Sequence, residues 1–165
     1  IMNQSEIVKN LTKWMTEFIE VPNPKLGDWA PCPFARQARV NNNISIKFAE
    51  VAELTQTVRK SVDLLASKEV VVVCFDHNNI NPVELQEYVE GMNKTLMAEN
   101  YVILEDHPWT PEYINGVCMN FGHCGLLVIQ KLDKLNNASA QLQEKGYYKP
   151  WSQDDLDSVV SWRHK

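Results

Sequence analysis

The chain has 165 residues, 44% hydrophobic and 22% charged, with a formal charge of −5 and a pI near 5.4. That length suits one domain, which can bury roughly 70% of its unfolded surface without staples, and the composition excludes a disordered chain. The net acidity removes the broad basic footprint of a nucleic-acid binder, so nucleic acid is not an expected partner.

Four cysteines, Cys32, Cys74, Cys118 and Cys124, are too few and too irregular for a disulfide framework, and no CxxC pair announces a zinc knuckle. The N-terminal stretch is amphipathic rather than signal-like. The longest apolar run, Val70 to Phe75, is far short of a membrane span. The expectation is a cytoplasmic protein with no membrane contact.

In chain order, Ile7, Leu11, Trp14 and Phe18 recur at helical spacing and predict a helix from near Ser5. "VPNPKLGDWAPCPF" stops it, because four prolines and a glycine exclude both helix and central strand. Val40, Ile44, Ile46 and Phe48 predict the first strand. Val51, Leu54, Val58, Val62 and Leu65 predict the helix between Glu50 and Lys68. "EVVVVCFD" is a strand buried on both faces.

The next helix has the strongest start in the chain: Asn81 to cap, Pro82 at the first helical position and Glu84 to close a capping box. "NYVILED" reads as the third strand and "GLLVIQKL" as the fourth, with a loop or distorted hairpin from His107 to Gly125 between them. A helix from about Asp133 to Glu144 ends before Gly146, and Ser152 with Asp155 opens a last one.

The order implies a single α/β or α+β domain with a mixed four-stranded sheet under about five helices. Residues 1–38 would form the N-terminal helix and proline-rich loop, 39–132 the sheet core and 133–165 the C-terminal helices. Right-handed crossovers would make the first three strands parallel, with the fourth returning antiparallel.

That topology gathers chemistry on one rim, because open α/β sheets bind ligands beyond the carboxyl ends of their strands. Asp76 and His77 follow the second strand, Asp106 and His107 end the third, and His123 precedes the fourth. Asp76, His77, His107 and His123 could ligate a divalent metal such as zinc, iron or manganese. Alternatively, Asp106 and His107 could act as orienter and base without one. The plainer reading is that Asp, Asn and His after a strand simply cap turns and helices.

Cys32, fixed between Pro31 and Pro33, could be a nucleophile if its pKa were lowered. Arg36 and Arg39 are the nearest cations in sequence. A small apolar plug walled by Trp29, Pro31 and Phe34 is the alternative. The glycines of "YINGVCMNFGHCG" suit a tight turn or a lid; no P-loop ending follows them.

The segment from Trp14 to Ala35, a helix running into C-P-F-A at Cys32, Pro33, Phe34 and Ala35, resembles a bacterial family of unknown function, the domain-of-unknown-function group numbered 1415. His107 and Pro108 resemble that family's strand-ending His-Pro. The resemblance implies that Cys32 and His107 are candidate positions that matter together; it brings no reaction with it.

The functional expectation is a catalytic or binding pocket for a small polar molecule at the strand rim, metal- or thiol-dependent, with Cys32, Asp106 and His107 as its chemistry. The other reading is a non-catalytic interaction module, a homodimer for instance. Five Trp residues, including Trp162, and the aromatic "GYYKPW" would supply its anchors.

Overall fold

Asn3, rather than Ser5, opens the first helix. In the computed structural model, which describes residues 2–164, the Asn3 carboxamide accepts the Glu6 N–H at 3.1 Å and caps α1, Gln4–Trp14. Ile1, given no structural role from the sequence, lies outside the described residues. A wide π-type turn, Met15–Ile19, prolongs α1.

The proline-rich segment then folds over a short 3-10 turn, Pro24–Leu26, closed by a bridge between Asn23 and Trp29. It leads into a helix that the prolines concealed: α2, Ala35–Val40. Once Pro33 is past, "ARQARV" carries no breaker, and the Cys32 carbonyl accepts the Ala35 N–H to start the turn. Val40, expected to open the first strand, instead ends α2 and is 65% exposed.

The core elements follow the apolar patterning. These are β1, Ile44–Phe48; α3, Leu54–Leu64; β2, Val70–Phe75; and α4, Pro82–Leu96. The capping box of α4 forms as expected. Asn81 accepts the Glu84 N–H at 2.8 Å, and Glu84 accepts the Asn81 N–H at 3.3 Å. Then come β3, Tyr101–Asp106, and a two-stranded hairpin, β4, Tyr113–Ile114, and β5, Val117–Cys118. Asn115 and Gly116 turn that hairpin with φ of 46° and 81°. β6, Gly125–Lys131, and α5, Leu132–Glu144, precede α6, Gln153–Val159, which Ser152 caps.

The sheet is mixed and four-stranded, in the order β1-β2-β6-β3. Its pairing corrects the expectation of three parallel strands. Only β1 and β2 pair in parallel, and β6 inserts antiparallel between β2 and β3. The reason lies in burial. Leu126, Leu127 and Ile129 of β6 are all shut off from solvent, which places that strand inside the sheet. β3 ends in Glu105 and Asp106 and takes the edge, where charge is tolerated. Gly125 makes the insertion sterically feasible, since a Cβ there would lie 2.2 Å from the ring of the buried Phe75. Because β2 and β3 both run against β6, they run in the same sense, and their carboxyl ends share one rim.

α3 and α4 cover the face bearing Val71, Val73, Phe75, Ile103, Leu127 and Ile129. α1 covers the opposite face around Val72, Cys74, Cys124 and Leu126. A third apolar cluster, Leu26, Ile114 and Val117 with Met119, Trp151 and Val159, ties the proline-rich loop to the hairpin and α6. No helix among the described residues is long and apolar enough to cross a membrane.

Candidate functional site

The shared rim brings Asp76, His77, Asp106 and His107 into one neighbourhood, but most of their bonding capacity is committed to the fold. Asp76 caps the turn after β2, accepting the backbone and side-chain N–H groups of Asn78 at 3.0 and 2.9 Å. These bonds hold its carboxyl below the usual range. His107 is 4% exposed. Its Nε2 lies 2.7 Å from the Ile80 carbonyl, and its Nδ1 accepts the Trp109 N–H at 3.1 Å. This pattern assigns the proton to Nε2 and occupies both ring nitrogens.

His77 stands edge-on to His107 and Trp109, with ring centroids 5.8 and 5.6 Å apart. Burial, then the neighbouring His107, pushes its pKa down despite Asp76, and its buried Nδ1 has no partner. His123 stays apart. It is exposed and rests on Phe121, whose ring belongs to the cluster under α1. Among the described residues, no group of three His, Cys, Asp or Glu side chains is arranged to hold a metal ion.

Asp106 serves the loop that follows it. One carboxylate oxygen accepts the Asn120 side chain and the other the Phe121 N–H, both at 2.9 Å. Burial raises its pKa even against these bonds. Asn120 also reaches the carbonyls of His107 and Thr110 and accepts the Glu112 N–H at 2.6 Å. It thereby latches the hairpin to the rim. Nothing in the periodicity around Asn120 marks it for this role.

Cys32 lies elsewhere. Its N–H donates to the Ile19 carbonyl, and next to it Tyr147 donates its hydroxyl to the Pro31 carbonyl. The residue keeps solvent-exposed surface. Even so, the protein packed around the sulfur raises the thiol pKa; the N–H groups of Phe34 and Ala35 lower it, and Glu20 raises it further. Arg39, expected to lower it, forks onto Glu20 at 2.7 and 2.9 Å. These surroundings favour the thiol over the thiolate. Cys32 does not line the cavity that Asp106 and His107 share.

That cavity is a half-open groove of about 990 Å³ along the free side of β3. α4 and the turn that follows it form one wall through Val83, Glu90 and Met97. The hairpin and C-terminal segment form the other through Glu112, Met119, Val159 and Trp162. The floor is β3 from Ile103 to Asp106. Glu90, Glu105, Asp106 and Glu112 line it against a single Lys or Arg among the described lining residues, Lys94.

Glu105 stands at the centre of this charge. Desolvation, then Glu90 and Glu112, push its carboxyl up to about 7. It keeps contact with solvent, which screens part of the repulsion. Glu112 is raised by burial and by Asp106 and Asp155. A carboxyl near 7 can take or give a proton at neutral pH, and a bound cation would hold it ionised.

The sequence reading passed over Glu105, although a signal was present. By strand alternation it shares a face with Tyr101 and Ile103, an acid at a core-facing position. Comparison with protein-family models, with curated proteins and with solved structures returned no significant match.

Proposed function

We propose that this chain is a binding protein for an organic cation with an apolar body, held in the groove beside β3. The observation that carries the reading is the pairing of apolar side chains, Val83, Met97, Met119, Val159 and Trp162, with three carboxylates, Glu105 on the floor and Glu90 and Glu112 on the facing walls. Ligand sites are concave and mostly apolar, with few polar groups fixing orientation. Groups with displaced pKa values concentrate at such sites. An ammonium or guanidinium between these carboxylates would relieve their mutual repulsion.

The small-molecule site expected at the strand rim thus moves around the end of β3. Asp106 and His107 hold its floor and hairpin in place, while Glu105, Glu90 and Glu112 meet the ligand.

Calorimetric titration with n-hexylammonium tests the reading. Binding should strengthen at least threefold between pH 5.5 and pH 8, as Glu105 loses its proton while Glu90, Glu112, Asp106, Asp155, Lys94 and His107 stay in place around it. Glu105→Gln should remove most of that gain. Absence of binding at both pH values would overturn the proposal.

A further inference from the structure

We propose that the groove takes an extended peptide segment of apolar–basic–apolar pattern, which adds antiparallel to β3 as an edge strand. This inference rests on the cation-binding reading above and specifies its ligand.

The sheet edge supplies the argument. β3 has β6 on one side and no strand on the other. On that free side Ile103 presents its N–H and C=O, and the Asn93 side chain meets both, at 2.9 and 3.0 Å. Asn93 thus stands in for one residue of a neighbouring strand. Alternation along β3 turns the N–H and C=O of Glu105 to the same side, about 6.7 Å further on. Nothing among the described residues takes Asn93's place there, and Glu105 lines the groove. Beyond it the edge closes again, because the His107 carbonyl already accepts the Thr110 N–H and the Asn120 side chain. The open edge is one residue wide, so a guest strand gains one narrow pair of backbone bonds and must take the rest of its affinity from side chains.

Strand geometry fixes which side chains those are. A residue directly opposite Glu105 projects its side chain to the same face of the sheet as Glu105. That is the α4 face, where Glu90 stands. A lysine or arginine there would be flanked by two carboxylates. The residues before and after it project to the other face, against Met119, Val159 and Trp162, and apolar side chains suit that wall. A second copy of this chain pairing edge to edge would instead set Glu105 against Glu105, which like-charge repulsion disfavours. Strand addition of this kind draws affinity from the main chain and specificity from alternate side-chain pockets.

The test uses three peptides and the amine. Acetyl-Thr-Val-Lys-Val-Thr-amide is compared with its Lys→Glu analogue, with an analogue N-methylated at the lysine, and with n-hexylammonium. Affinity is measured by calorimetry and amide hydrogen exchange is followed at Glu105. The lysine peptide should bind at least tenfold tighter than hexylammonium and slow exchange at the Glu105 amide. The N-methyl analogue should lose that advantage, and the glutamate analogue should not bind.

If the lysine peptide binds no better than hexylammonium and leaves the Glu105 amide unprotected, strand addition is wrong while the cation site stands. Indifference to N-methylation, or equal binding of the glutamate analogue, also overturns it. If neither lysine peptide nor amine binds, both proposals fall, whether the groove is empty or covered by a second copy that sedimentation would reveal.

Discussion

The carboxamide of Asn93 makes with Ile103 the two hydrogen bonds that a fifth strand would make, at 2.9 and 3.0 Å. Asparagine can do this because its amide carries the same donor–acceptor pair as a peptide unit. The pairing anchors α4 beside the edge of β3 and defines where the groove begins. Both Asn93 and Ile103 are buried, so neither group has water to fall back on.

Replacing Asn93 by leucine keeps nearly the same volume and strands the Ile103 N–H and C=O. The expected cost is about 2 kcal/mol, the usual penalty for a buried polar group left without a partner. Urea denaturation reads it directly. A change below a few tenths of a kcal/mol would mean that the amide contributes nothing to holding the edge.

Glu105 makes stability depend on pH with a defined sign. Its carboxyl is raised from an ordinary 4.5 to about 7 in the fold, so the folded state keeps a proton that the unfolded chain has already released. Its contribution is intact below pH 4.5 and is lost as pH rises through 7. Glu112 and Asp106, also raised, act in the same sense. Glu105→Gln should therefore flatten the fall in stability between pH 4.5 and 7.5, and above pH 7 should exceed the parent protein. Denaturant midpoints across that range check this; an unchanged slope would show that Glu105 ionises normally.

Asn120 latches the hairpin by accepting the Glu112 N–H and donating to Asp106 and to the carbonyls of His107 and Thr110. Asn120→Ala should cost about 1 kcal/mol, since water reaches much of the site. Amide exchange should speed up at Glu112 while Phe121, whose N–H stays on Asp106, remains protected. Equal acceleration at both positions would mean that Asp106 cannot hold the loop alone.

Local signals in the sequence determined the elements whose causes are themselves local. The α4 start depends on Asn81, Pro82 and Glu84 within one turn, and the β2 strand on an unbroken apolar run, so both are legible without any partner. Even the sharing of one rim by Asp76, His77, Asp106 and His107 follows from strand direction alone. Whether those side chains stay free is decided by atoms distant in sequence: Ile80 takes one His107 nitrogen, and Asn120 takes a carboxylate oxygen of Asp106.

Strand order likewise had to wait for the fold. Seating β6 between β2 and β3 requires weighing its burial against the charge at the end of β3, a comparison between segments that no window along the chain contains. That choice left β3 at the edge, and with it Glu105 between Glu90 and Glu112. The acids come from three separate segments, and only tertiary packing desolvates Glu105 and also brings Glu90 and Glu112 near it, which together raise its carboxyl to about 7.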